Sequence, residues 1–135
     1  MGIKIAWDNQ DQTTIRFDFD GKWNFLDVDY AVNESINLMK RVSHQVDWLI
    51  NLENSGPLAA GAVLESRELR EPIPANHGWV GFAGDEMFAR GIAGILSRVY
   101  PILGEEFLFG RDLGYARAAI GMAPARVQSE PNASE

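Results

Sequence analysis

The segment from Val46 to Leu64 constrains the fold most, because in it a strand pattern leads directly into a helix pattern. Apolar residues predominate from Val46 to Leu52, and the turn formers Asn54-Ser55-Gly56-Pro57 follow. Proline suits the first turn of a helix, so Pro57 predicts a helix that runs to about Arg70. A strand joined to a helix by so short a turn is typical of α/β domains.

The rest of the chain shows the same succession of strand and helix patterns. Ile3 to Trp7 and Ile15 to Phe19 alternate apolar with polar residues around a short polar turn, which predicts an antiparallel hairpin. Later strands are predicted at Trp79 to Ala83 and at Phe107 to Phe109. Further helix patterns begin after three residues suited to the N-cap position, namely Asn24, Asp85 and Asp112.

The predicted order is β-β-α-β-α-β-α-β-α, which indicates an α/β fold. An N-terminal β-hairpin is followed by βα units, and right-handed connections between them predict a mostly parallel, mixed five-stranded sheet. Several strands alternate apolar with polar residues, so we expect helices mainly on one face and an exposed face that is a candidate homodimer contact. We expect a single domain at residues 1–122 and a disordered tail at residues 123–135, which has little to bury.

Composition narrows the classes of function. The net charge of −7 argues against a nucleic acid partner, which would require clustered Lys and Arg. The chain has no cysteine, which excludes disulfides, thiolate zinc sites and thiol catalysis and fits a cytoplasmic location. No stretch approaches the roughly 20 apolar residues of a membrane span. His44 and His77 lack carboxylates at ligand spacing, so no metal or other cofactor is predicted, and Asp8 is interpreted as a solvated turn residue.

Three segments carry a resemblance to a known family: IAWDNQDQTTIRFDFDGKWNFLD near the start, LSRVY before the last strand, and DLGYARAAI near the end. With the order of elements, they make residues 3–122 resemble the STAS domain family, in its stand-alone SpoIIAA-like branch related to anti-sigma-factor antagonists. The resemblance implies a hairpin followed by βα units. It also implies a non-catalytic, regulatory bacterial protein that binds another protein, such as an anti-sigma-factor-like kinase.

The phosphorylated members of that family carry an Asp-Ser-Ser-Gly-like motif at the start of the helix that follows the strand, and its first serine accepts phosphate. The matching positions here are Leu58-Ala59-Ala60-Gly61, in which the acceptor hydroxyl is missing. Phosphorylation places about −2 charge on a hydroxyl oxygen, so alanine at that position removes the chemistry of the switch. Ser55 is the nearest substitute and the candidate phosphoacceptor; its alternative interpretation is an ordinary turn residue.

The predicted partner surface is the loop after the central strand together with the turn at Gly84-Asp85. Surface loops and helix N-termini offer groups that readily contact proteins and anions. The candidate partner-binding residues are Glu53, Asn54, Ser55, Gly56, Ala59, Ala60, Gly61, Gly84 and Asp85.

An alternative function is a carrier or sensor of a small apolar, lipid-like ligand. Gly91 and Gly94 lie inside a predicted helix, where each costs up to about 1 kcal/mol relative to alanine. Such glycines are typical of tight packing on the sheet, or of a ligand pocket between helix and sheet. The candidate pocket residues are Trp48, Trp79, Phe82, Phe88, Gly91 and Ile95.

A remote alternative is a hydrolase. Ser55, His77 and Asp85 supply the residue types of a catalytic triad and could meet at the edge of the sheet where open α/β folds hold their ligands. The Gly-x-Ser-x-Gly elbow of α/β-hydrolases is absent, so no motif supports this alternative.

Overall fold

The computed structural model describes residues 2–57 and 72–126. The elements are strands β1 (Ile3–Trp7) and β2 (Thr14–Gly21), helix α1 (Phe25–Met39), strands β3 (Val46–Ser55) and β4 (His77–Ala83), helix α2 (Glu86–Val99), strand β5 (Leu108–Gly110) and helix α3 (Leu113–Met122). A 3₁₀ turn at Pro101–Leu103 follows α2. The helix predicted after Pro57 lies outside the described residues.

The five strands form one sheet in the order β1-β2-β3-β4-β5. β1 and β2 are antiparallel and the other neighbours are parallel, which confirms the mixed, mostly parallel sheet predicted from the sequence. One row of paired residues crosses the whole sheet: Ile5, Phe17, Ile50, Phe82 and Phe109. The parallel strands are added in one direction, so crossovers of the same hand carry their helices over the same face.

Two hydrophobic clusters lie on the two faces of the sheet. The main core contains Ile36 of α1 and Ile92 of α2 together with the inward side chains of the strands. A smaller cluster on the opposite face joins Leu49 of β3 to Ala116 and Ile120 of α3. The described helices therefore lie mainly on one face, as predicted, with α3 as the exception.

The helix starts confirm the predicted N-caps. Asn24 accepts a hydrogen bond from the backbone of Asp27, whose side chain accepts one from Asn24 in return. The side chains of Asp85 and Asp112 likewise cap α2 and α3. Each cap satisfies a backbone N–H that the first helical turn would otherwise leave unpaired.

Two boundaries differ from the sequence prediction. β3 continues to Ser55, because Asn54 and Ser55 pair with the end of β2 at Asp20 and Gly21. Asn and Ser are turn formers by propensity, and here pairing with a neighbouring strand overrides that preference. β4 begins at His77 rather than Trp79, and a bulge opposite Asp47 separates its first residue from the rest of the ladder.

The described start of the predicted tail, residues 123–126, contacts the sheet. The indole N–H of Trp79 donates to the carbonyl of Pro124 over 2.8 Å, and the backbone N–H of Arg126 donates to Gln45 Oε1 over 2.8 Å. The remaining residues of the predicted tail lie outside the described part of the chain. Among the described helices, none has the length and apolar character needed to cross a membrane.

Candidate functional site

A cavity of about 480 Å³ lies where the parallel strands end. This is the edge of the sheet at which α1, α2 and α3 begin, because each of them follows the C-terminal end of a parallel strand. The lining residues are Leu52, Glu53, Ser55, Gly56, Pro57, Gly84, Asp85, Phe88 and Arg111. We call this surface the strand-end site.

Five of the residues predicted to bind a partner line the strand-end site: Glu53, Ser55, Gly56, Gly84 and Asp85. Asn54 is exposed within β3, between two of them. Ala59, Ala60 and Gly61 lie outside the described residues, so the structure gives them no position. The fold thus brings together two loops that are about 30 positions apart in sequence.

The hydroxyl group of Ser55 makes two hydrogen bonds. Its Oγ accepts from the indole N–H of Trp23 over 2.8 Å and donates to the carbonyl of Gly56 over 2.7 Å. A phosphate on this oxygen would replace the hydroxyl hydrogen that Ser55 donates to the carbonyl of Gly56. The phosphoacceptor role of Ser55 stays a prediction. Phosphorylation would have to break the hydrogen bond from Ser55 to the carbonyl of Gly56.

Glycines shape the backbone of the strand-end site. Gly84 has a φ of +133°, a conformation that L side chains rarely adopt, and its N–H donates to the carbonyl of Gly110. Gly56 lies against the end of β2, where an added β-carbon would stand 3.0 Å from the carbonyl oxygen of Gly21. Substitution at either position would change the shape of the cavity.

The carboxylates of the site are held by helix starts. Glu53 Oε2 accepts from the backbone N–H of Leu113, the first residue of α3, over 2.8 Å. Asp85 accepts from the N–H of Phe88 in α2 over 2.9 Å. Arg111 adds a cation to the lining, and its guanidinium carbon lies 4.1 Å from the centre of the Tyr115 ring. These contacts hold the side chains of Glu53, Asp85 and Arg111 in place as a polar rim of the cavity.

Large apolar side chains are exposed near the starts of the three described helices. Leu26, Met87 and Tyr115 lie in the first turns of α1, α2 and α3, and all are more than half exposed. Because those first turns lie at the strand ends, these side chains belong to the same edge as the cavity. Exposed apolar groups beside a polar rim are typical of surfaces that bind other proteins.

The three residues of the hydrolase alternative do not meet. His77 begins β4 and Asp85 follows its other end, a separation of about 20 Å for a strand of this length. Burial lowers the pKa of His77, which is 7% exposed. Within residues 2–57 and 72–126, no three His, Asp or Glu side chains are placed to hold a metal ion.

The six residues of the predicted apolar pocket lie in different environments. Trp48 and Phe82 are buried in the main core, whereas Gly91 is exposed and an added β-carbon there would meet open space. Trp79 is at the margin of the sheet, and Phe88 lines the strand-end site. Ile95 is half-buried on α2. Among the described residues, these six do not form the walls of one cavity.

The sequence interpretation of Asp8 as a solvated turn residue is wrong. Its side chain is 6% exposed and accepts hydrogen bonds from Arg16 and Arg117, each over 2.8 Å. Burial alone would raise the pKa of Asp8, but the hydrogen bonds from the two arginines outweigh it and hold the pKa below its ordinary value. Arg117 is 109 positions away in sequence, so no local pattern could have found this cluster.

The fold and the site define an α/β architecture with a mixed five-stranded sheet and a cavity with charged lining residues at its strand ends. Comparison of the chain with protein-family models, curated proteins and solved structures found no match.

Proposed function

We propose that this protein is a non-catalytic, STAS-like regulatory module that binds another protein through the strand-end site. One observation carries the proposal: five of the residues that the sequence predicted in two separate loops line one cavity. That cavity lies at the edge of the sheet where the first helical turns expose Leu26, Met87 and Tyr115. Aromatic residues and Met are enriched where proteins meet, and a polar rim around them supplies specificity.

The resemblance to anti-sigma-factor antagonists supports a partner of the anti-sigma-factor type. In the phosphorylated members of that family, the start of the helix after the central strand carries the regulatory serine. In this chain Ala59 and Ala60 match those positions, and the hydroxyl of Ser55 is engaged by Trp23 and Gly56. We therefore infer a module whose binding does not depend on a phosphoserine at the family's position.

The state of the polar groups supports binding rather than catalysis. Glu53 and Asp85 are occupied by backbone N–H groups. Of the three residues proposed for a triad, Ser55 and Asp85 line the strand-end site, whereas His77 lies at the other end of β4. A nucleophilic serine needs a base within hydrogen-bond distance. The hydroxyl of Ser55 instead donates its hydrogen bond to a backbone carbonyl.

The test compares two methionines of nearly equal exposure at opposite edges of the molecule. Met87 is 82% exposed in the first turn of α2, at the strand ends, and Met122 is 81% exposed at the end of α3. The native partner is identified by affinity purification from the source cells and then purified. Its affinity is measured by titration calorimetry for the native protein and for Met87→Asp and Met122→Asp.

We expect Met87→Asp to weaken binding about 10-fold or more, because a central apolar contact is replaced by a charge. An acidic residue in the first turn of a helix is favourable for the helix, so the fold should be retained. Met122→Asp should bind like the native protein. Equal effects of the two substitutions, or normal binding by Met87→Asp, would place the interface elsewhere.

A further inference from the structure

A second cavity, of about 630 Å³, lies at the margin of the sheet and apart from the strand-end site. It is bordered by Gly94 of α2, by Glu105 and Glu106 before β5, and by Trp79 of β4. Its volume is within the range of small-molecule sites, about 300–1,000 Å³. Because both carboxylates belong to residues exposed to solvent, its chemistry differs from the apolar pocket that the sequence predicted.

The side chain of Arg126 lies against two residues of this cavity. Its guanidinium carbon is 3.9 Å from the centre of the Trp79 ring, and its Nη2 is 3.2 Å from Glu106 Oε1. The guanidinium plane thus has an aromatic face on one side and a carboxylate at its edge, the two partners that guanidinium groups prefer.

Other contacts position Trp79 independently of Arg126. Its backbone N–H donates to Asp47 Oδ1 over 2.8 Å at the bulge between β3 and β4. β5 pairs with Gly81 to Ala83 of β4, so Trp79 lies before the paired stretch, at the margin of the sheet. These contacts hold the backbone of Trp79, and the hydrogen bond from its indole N–H to the carbonyl of Pro124 holds the ring, so neither requires the guanidinium group of Arg126.

We propose that Trp79 and Glu106 form a recognition site for a guanidinium group, and that Arg126 is its intramolecular occupant. An external guanidinium, carried by a small guanidino compound or by an arginine side chain of a peptide, displaces Arg126 and binds between the same two residues. Glu105 lines the same cavity and adds a second carboxylate to attract the cation. Arg90 also lines the cavity, and its charge is paired with Glu86. A planar guanidinium can stack and donate two hydrogen bonds in a fork, which an ammonium group cannot do.

The proposal has a distinctive consequence for affinity. An internal occupant lowers the apparent affinity for an external ligand by the fraction of molecules in which the site is open. An Arg–Trp stack of ordinary strength closes the site in most molecules, so removal of the Arg126 side chain should tighten external binding about 5-fold. A purely structural Arg126 would have no such effect.

The experiment titrates the ¹⁵N-labelled full chain with agmatine and follows the indole N–H signal of Trp79, assigned from the spectrum of Trp79→Phe. The matched probe is 1,5-diaminopentane, which has the charge of agmatine but an ammonium group in place of the guanidinium, and the acetylated tripeptide Gly-Arg-Gly presents the guanidinium on a peptide. The variants are Arg126→Ala, Arg126→Gln as a second variant that keeps the side-chain length, and Glu106→Gln. The exposed Arg98→Ala on α2 is the control for loss of a surface cation.

We expect agmatine to shift the Trp79 signal, with about 5-fold tighter binding in Arg126→Ala and Arg126→Gln than in the native chain or Arg98→Ala. Glu106→Gln should weaken binding when combined with Arg126→Ala, because in that background it removes a carboxylate from the ligand without also releasing Arg126. Tighter binding of the tripeptide would identify a peptide arginine as the ligand, and tighter binding of agmatine would identify a small guanidino compound. The proposal is overturned if 1,5-diaminopentane binds as well as agmatine, or if the Arg126 variants bind no tighter than the native chain. It is also overturned if millimolar agmatine leaves the Trp79 signal unchanged in those variants.

Discussion

The indole N–H of Trp23 donates a hydrogen bond to Ser55 Oγ over 2.8 Å. The bond joins the segment before α1 to the last residue of β3, across 32 positions of sequence. Trp23 is only 5% exposed, so Ser55 provides the acceptor that its indole group needs in the core. Ser55 therefore has a structural role that does not depend on phosphorylation.

We expect Ser55→Ala to lower the free energy of unfolding by about 1–3 kcal/mol, because it leaves the buried N–H of Trp23 without an acceptor. Urea denaturation measures the change. The control is Trp23→Phe alone and combined with Ser55→Ala, which yields the coupling energy of the pair. A coupling energy of zero would show that the bond does not stabilise the fold.

Two glycines give a matched pair of stability predictions with opposite signs. Gly91→Ala should raise the free energy of unfolding by up to about 1 kcal/mol, because the position is exposed in the interior of α2 and its β-carbon would meet open space. Gly110→Ala should lower it by about 1–3 kcal/mol. Its β-carbon would stand 2.7 Å from the carbonyl carbon of Tyr115, so the start of α3 would have to move. Thermal and urea unfolding of both variants would contradict this account if the two changes had the same sign.

Two buried carboxylates predict opposite dependences of stability on pH. Burial raises the pKa of Asp47, while hydrogen bonds from Trp79 and Gln45 and the charge of Arg126 partly offset the increase. Above the unfolded value of about 3.9, folding therefore works against the ionised form of Asp47, and stability falls as pH rises through the window between the two pKa values. Asp47→Asn should be more stable than the native protein at pH 7, and the difference should shrink on acidification.

Asp8 is expected to have the opposite effect on the pH dependence of stability, because Arg117 and Arg16 lower its pKa in the folded protein. Its contribution to stability is present above the unfolded pKa of about 3.9 and is lost as pH falls through the lower folded value. Asp8→Asn should therefore be less stable than the native protein at pH 7, and this difference should also shrink in acid. Urea denaturation at neutral and acidic pH measures both variants, and a stabilising Asp8→Asn would refute the assignment of the cluster.

Asp85 combines a structural role with a predicted role in partner binding, and two substitutions separate them. Asp85→Ala removes the cap of α2 and should cost about 1 kcal/mol of stability. Asp85→Asn keeps an oxygen that can accept from Phe88 but removes the charge, so stability should change little. Titration of the partner with Asp85→Asn then measures the effect of the charge on affinity. Unchanged affinity would mean that Asp85 caps the helix and does not contribute to the interface.

The order of strands and helices could be predicted because each element has a pattern formed by residues close together in sequence. The period-2 alternation of β1 and β2, the N-caps Asn24, Asp85 and Asp112, and the apolar stripe of α2 each involve neighbours within a few positions. The parallel sheet then follows from the alternation of strands and helices. Five residues nominated from two loops also lie together, because parallel strands end at the same edge of a sheet.

The predictions that failed were those that depended on distant partners. Asn54 and Ser55 have turn propensity, yet pairing with β2 makes them part of a strand. Asp8 looks like a turn residue until Arg117, from the last helix, contacts it. Gly91 and Gly94 suggested a close neighbour of the helix; outside the adjacent part of α2, no heavy atom of the described residues lies within 4 Å of a β-carbon added at either position, and the ligand pocket stays a prediction.

The sequence by itself determined the succession of strands and helices, the helix starts and the absence of thiol chemistry, since each depends on composition or short-range periodicity. The tertiary structure alone decided which polar groups are occupied. Ser55 receives its hydrogen bond from Trp23, Glu53 accepts one from the first residue of α3, and the guanidinium of Arg126 stacks on Trp79. The physical reason is that hydrogen bonds and ion pairs act over a few ångströms in space, and folding sets those distances without regard to separation along the chain.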